Sequence, residues 1–172
     1  MRDRVENFDI DIKNIDILVN SAGVGHFAMH EDLTYLQIKE MVELNLLAPV
    51  ILTKTFLKRI KKSKGTIINI SSISSTKPSR MGALYSATKS ALTQFSDTLF
   101  EECRKDGVRV VSIVPDTVKT NFFDNLRFCP TEIDDTYIEP ETIAKLVIDL
   151  ISYKSPVTKV YIHPQMFQLQ KR

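Results

Sequence analysis

Short apolar runs alternate with longer amphipathic stretches along the chain, and this alternation predicts its elements. Ile15-Asp16-Ile17-Leu18-Val19-Asn20 is rich in β-branched residues and ends at the turn-prone Ser21-Ala22-Gly23, so it reads as a buried strand. From Thr34 to Ile60 apolar residues recur at helical spacing (Tyr35, Ile38, Met41, Val42, Leu44, Leu46, Leu47, Val50). Pro49 is expected to bend this helix, and Gly65 lies just beyond its end. Residues 66–70 form a second strand, 71–81 a polar loop broken by Lys77-Pro78, and 84–104 a helix closed by Asp106-Gly107. Residues 108–114 read as a third strand stopped by Pro115, and 120–137 as irregular. Pro140-Glu141 opens a helix to about Tyr153, and 157–162 is a final strand. A further helix is expected over Asp3 to Lys13.

Strands and helices that alternate in this way predict a parallel sheet with helices on both faces, a three-layer α/β/α, doubly wound arrangement. Continuously apolar runs agree, because strands buried on both faces lose the in–out alternation. No repeat, low-complexity segment or linker divides residues 1–172, so one domain is expected.

Charge narrows the classes of partner. The 172 residues carry 23 basic and 21 acidic side chains, a net charge of +2 that does not argue for nucleic acid or a membrane surface. The basic cluster Lys54, Lys58, Arg59, Lys61, Lys62 and Lys64 has no interleaved aromatics and reads as the solvated C-terminal turn of a helix. No apolar run reaches the ~18 residues of a transmembrane helix, and the charged N-terminus lacks the apolar core of a secretory signal. Cys103 and Cys129 have no ligand or disulfide spacing, and His26, His30 and His163 have no metal spacing. The expectation is a cytoplasmic α/β enzyme without a metal.

Four residues carry candidate chemistry. Gly23-Val24-Gly25-His26-Phe27-Ala28 formally fits a dinucleotide fingerprint, yet no helix opens at these glycines and no second strand follows in range, so it reads as a turn at the end of a strand. Tyr85 and Lys89 stand four apart on one helical face, where an ammonium lowers a phenol's pKa toward that of a working acid/base. Ser72, thirteen residues before Tyr85, follows the second strand. Asn45 lies within the apolar Leu44-Asn45-Leu46-Leu47, where a buried amide needs partners.

With these motifs in order, the sequence resembles the short-chain dehydrogenase/reductase family. The stretches that carry the resemblance are residues 16–23, the Asn45 helix, Ile68-Asn69-Ile70-Ser71-Ser72, Tyr85-Ser86-Ala87-Thr88-Lys89 and Val111-Ser112-Ile113-Val114-Pro115. The resemblance implies a Rossmann-like fold and hydride transfer between NAD(P) and an alcohol or carbonyl substrate. It makes Tyr85 the general acid/base, and gives Lys89 the tasks of tuning Tyr85 and holding the nicotinamide ribose. Ser72 would hold the substrate oxygen, and Asn45 would anchor a water that relays protons to Lys89. Asn20, Ala22 and Gly23 would border the adenine-ribose side of the cofactor; Pro115, Val118 and Thr120 would hold its carboxamide and phosphates. NADP is placed ahead of NAD, because residues 159–164 are similar to NADP-dependent members acting on small hydroxy acids. A homodimer or homotetramer through the Asn45 and Tyr85 helices is implied as well.

Three positions depart from the family's pattern. Ser21 stands where a second Asn is usual, and Asp116 puts a carboxylate where the family has a Gly beside the nicotinamide. The Gly-rich phosphate loop and the first βα units are not seen ahead of residue 15, a difference on the order of 60 residues. The first strand, 15–20, is therefore expected at a sheet edge and prone to pair with another chain. The alternative reading is a non-catalytic remnant or interaction module that keeps the fold without binding nucleotide.

Overall fold

The computed structural model describes residues 14–171, and the helix expected over Asp3 to Lys13 falls outside them. Four strands, β1 (Ile17–Asn20), β2 (Thr66–Ile70), β3 (Arg109–Pro115) and β5 (Lys159–Ile162), form one parallel sheet in the order β1-β2-β3-β5. Register aligns Asn20 with Asn69 and Asn69 with Ser112, so the carboxyl ends of three strands finish at one level. Among the described residues β1 is an edge, and Ile17 and Val19 are exposed there.

Each strand sends alternate residues to opposite faces. Ile67 and Val110 pack with Phe56 and Ile60 of α2 (Ala48–Ser63) and with Leu99 and Cys103 of α3 (Ala83–Cys103). Ile68, Val111 and Ile113 pack instead on Leu150 of α4 (Pro140–Ser152). Burying each such side chain contributes roughly 1.5–3 kcal/mol. The doubly covered parallel sheet is thus an α/β fold. Arg109 locks the second face by donating to the Ile151 and Tyr153 carbonyls at the end of α4, at 3.1 and 2.8 Å.

The structure adds detail to three local expectations. The long first helix is not uniform up to Pro49: α1 (Tyr35–Val42) runs into a wider π-helical segment, Glu43–Leu47, and α2 follows with Pro49 in its first turn. A proline there lacks the N–H to continue the preceding ladder, and the widened turn passes over the gap. Gly65 lies just beyond the end of α2 as expected, and Lys64 is the residue in the left-handed conformation there (φ 54°). Glycine is needed at 65 for close approach, because a Cβ would collide with the Asp16 carbonyl oxygen. The segment read as irregular holds a short strand, β4 (Phe128–Pro130), paired antiparallel with β6 (Leu169–Lys171). Three-residue strands are too short to leave a periodic signal.

Candidate active site

The carboxyl ends of β1, β2 and β3 open into one cavity of about 1450 Å³. Pockets for single small molecules run to about 1000 Å³, so this one has room for two. Ala22 and Gly23 from the loop after β1, Ser72 after β2, Tyr85 and Lys89 from α3, and Pro115 at the end of β3 with Val118 and Thr120 beyond it all line it. Eight of the ten candidate residues are thereby brought together from four segments.

The inward face of α3 sets the central geometry. Tyr85, Thr88 and Lys89 are all buried, three and four residues apart. The Lys89 Nζ donates to the Ile70 carbonyl at the end of β2 at 2.9 Å, and lies 5.9 Å from the centre of the Tyr85 ring. The Ser72 hydroxyl stands close enough to the phenol to favour its charged form, and it accepts from the Ser74 N–H at 3.2 Å, which fixes it at the head of a short turn.

Burial, not the lysine, dominates the electrostatics. Desolvation pushes the Tyr85 phenol up to about 12, with the nearby Ser72 hydroxyl pulling the other way. Desolvation likewise brings the Lys89 ammonium down to about 8. The Tyr85 pKa therefore stands above its ordinary value because burial penalises the charged phenolate, and the Lys89 ammonium is not among the causes of that shift.

Two candidates lie behind the cavity wall. Asn45 is fully buried in the π-helical segment; its Oδ1 accepts from the Val24 N–H at 2.8 Å. Its Nδ2 donates to the Val24 carbonyl at 2.8 Å and to the Thr88 Oγ1 at 3.2 Å. The amide thus clamps the loop after β1 onto α3, and Gly23 separates it from Lys89. A Cβ at Gly23 would stand 3.3 Å from Lys89 Nζ and 3.4 Å from Asn45 Oδ1. Asn20 does not reach the cavity: its Nδ2 donates to Asn69 Oδ1 at 2.7 Å, and Asn69 Nδ2 donates to Ser96 Oγ at 2.7 Å. This buried chain ties β1 through β2 to α3, and it occupies the Asn20 side chain that was expected to border the cofactor.

The unexpected Asp116 lines the cavity and has a partner of its own. Its carboxylate meets His163 Nδ1 at 3.2 Å, and its N–H donates to the Ile162 carbonyl at 2.9 Å. Sequence reasoning did not single out Asn69 or Phe27. Asn69 had the same signal as Asn45, one amide inside an apolar run. Phe27 packs directly on the Tyr85 ring, with 5.2 Å between ring centres.

The residues fit a nicotinamide dinucleotide on this structure's own terms. Lys89 has donors beyond the one given to Ile70, Gly23 leaves a gap where a side chain would crowd that ammonium, and the cavity is large. Among the described residues no group of acidic, His or Cys side chains could hold a metal, and no helix is long and apolar enough to cross a membrane.

Known proteins give the same picture. The family model described as short chain dehydrogenase matches residues 1–128. Estradiol 17-beta-dehydrogenase 2 of Mus musculus is 41% identical over 113 residues, which is 65% of this chain and 30% of that protein. An alcohol dehydrogenase from Thermococcus sibiricus, complexed with 5-hydroxy-NADP, superposes with a TM-score of 0.79 at 26% identity. That match covers 95% of this chain and 67% of the archaeal one. A 4-hydroxyisoleucine dehydrogenase complexed with NADH and succinate superposes with a TM-score of 0.79 at 27% identity, over 95% and 72% of the two chains. The match over the strands, the Asn45 helix and the Tyr85 helix makes this chain a member of the short chain dehydrogenase family.

Proposed function

We propose that this chain carries the acid/base half of an NAD(P)-dependent oxidoreductase that interconverts an alcohol and a carbonyl. The observation that carries the reading is the Ser72–Tyr85 hydroxyl pair at the mouth of the parallel sheet, with Lys89 one turn behind it. The Tyr85 hydroxyl gives a proton to a carbonyl oxygen in reduction and takes one from an alcohol in oxidation. Ser72 holds that oxygen by a hydrogen bond. Lys89, whose charge is costly where it lies, offers its remaining donors to the ribose hydroxyls, and binding there returns the partners that burial removed. A bound nicotinamide supplies or accepts the hydride.

Gly23 and Ala22 border the cofactor from the β1 side, and Pro115, Val118 and Thr120 from the β3 side. Asn45 and Asn20 act as positioning residues: Asn45 holds the β1 loop to Thr88, and Asn20 holds β1 to β2. A homodimer or homotetramer through the Asn45 helix is supported by Tyr35, Leu36 and Leu47, apolar side chains open to solvent on that segment. The thiols of Cys103 and Cys129 are both free, which supports a cytoplasmic setting.

The test is titration of the purified protein with NADPH and NADH, read by cofactor fluorescence, followed by carbonyl-dependent oxidation of the bound form. Saturable binding lost in Lys89→Ala is expected. Turnover is expected to fall by about 10²–10⁴-fold in Tyr85→Phe, the range for loss of a general acid/base. Absence of binding to either dinucleotide assigns the chain a non-catalytic role instead.

A further inference from the structure

Proton transfer does not explain what covers Tyr85. Phe27 comes from the loop after β1, and Phe122 from a short turn after β3 (Asn121–Phe123). Their ring centres stand 5.2 and 5.6 Å from that of Tyr85 and 6.4 Å from each other, so the three rings close a triangle. Phe128 adds a fourth ring edge-on to Phe27 at 5.1 Å. Phe27, Phe122 and Phe128 are only half-buried and all line the cavity, so they form its wall and are not sealed inside a core.

The surroundings are shaped to keep these rings in place. Gly25 is buried, and a Cβ there would stand 2.6 Å from both Phe122 Cζ and Phe27 Cε2. Any side chain at 25 would therefore push the rings off Tyr85. The Ala28 N–H donates to the Met81 carbonyl at 3.0 Å, which pins the Phe27 loop to the entry of α3. With Tyr85 only 7% exposed, a substrate oxygen reaches the phenol and Ser72 by passing its own body between these rings. Lys89, the buried cation beside the phenol, is engaged with the Ile70 carbonyl, and the other basic residues of the same cavity, Lys77, Arg80 and Arg127, are exposed to solvent.

We infer that Phe27 and Phe122 determine which substrate reaches Tyr85, and that they select an alcohol or carbonyl borne on a flat, apolar ring system over a small hydroxy or keto acid. Offset and edge-on ring contacts at 4.5–7 Å are the favoured aromatic geometry, and a flat apolar body can take up those contacts as the two side chains part. The inference rests on Tyr85 being the acid/base of the proposed reaction.

The probes are 2-tetralone, a bicyclic apolar ketone, and acetoacetate, a small keto acid, each titrated into the intact protein and followed by ligand-observed NMR. Tetralone is expected to bind more tightly than acetoacetate. Phe122→Ala and Phe27→Ala should each weaken tetralone by about tenfold, the scale of one lost aromatic contact, while acetoacetate stays unchanged. Phe122→Tyr should keep tetralone binding, and thermal melts establish that every variant is folded. Equal binding of the two probes, or tetralone binding indifferent to both alanine variants, overturns the inference. Ring-dependent tetralone binding with no NAD(P)H-dependent reduction upholds the selection and refutes the hydride-transfer reading alone.

Discussion

Replacing Lys89 by methionine removes a buried ammonium and keeps the length of the side chain. Burial brings the Lys89 pKa from 10.5 down to about 8. At 1.36 kcal/mol per unit this corresponds to a folding penalty of about 3 kcal/mol. The unfolded chain keeps its proton up to the higher value, so between pH 8 and 10.5 it binds more protons than the folded one. Unfolding free energy therefore rises with pH across that window, by about 1.4 kcal/mol per unit. Below pH 8 the penalty is present in full. Against it stands the hydrogen bond to the Ile70 carbonyl, whose loss costs about 1–3 kcal/mol. Lys89→Met is thus expected to be as stable as the parent at pH 7, or up to about 2 kcal/mol more stable. Urea unfolding at pH 7, 8, 9 and 10 reads the difference between the two proteins, in which all other titrations cancel. Tyr85 does not intrude, because its raised pKa removes stability only as pH climbs from 10 through about 12. Parallel stability curves from pH 7 to 10 would refute the claim that this ammonium is held at a desolvation cost.

Two further outcomes test the framework around the site. Asn45→Ala should cost about 2–4 kcal/mol by urea unfolding, because it leaves both backbone groups of Val24 unpaired. Asn45→Asp should not restore the loss, since a carboxylate has no donor for the Val24 carbonyl. Ser112→Ala should be neutral or stabilising by up to about 2 kcal/mol, because its buried hydroxyl has no hydrogen-bond partner among the described residues. A clear fall in melting temperature for that variant would show that the hydroxyl is satisfied after all.

The sheet was legible because its strands are continuous apolar runs, and Ile67-Ile68 shows why. Neighbouring residues there meet two different helical layers, so both must be apolar. The pairing of Tyr85 with Lys89 was legible because the two share one face of a helix, a relation that local spacing determines. What spacing cannot determine is burial. The sequence places a cation near a phenol, but the charge states of both depend on burial, and the rings packed on Tyr85, Phe27 and Phe122, arrive from distant loops. Asn20 shows the same limit, since its partner Asn69 is in register only because β1 and β2 pair in parallel. The widened turn at Glu43–Leu47 was masked by Pro49, which offers a simpler local reason for irregularity four residues later.

The parallel register also governs how the molecule acquires its site in time. Ile17 pairs with Thr66, Thr66 with Arg109 and Ser112 with Lys159, each across more than forty residues of chain. Such long closures must precede the contacts that reward them, so folding of this sheet belongs with the slow, non-local topologies. The loops carrying Gly23, Ser72 and Pro115 become neighbours only when β1, β2 and β3 have all paired. Ligand binding should therefore return during refolding in the same step as the completed sheet. A bound ligand, by drawing on all three loops at once, would hold the whole sheet against unfolding.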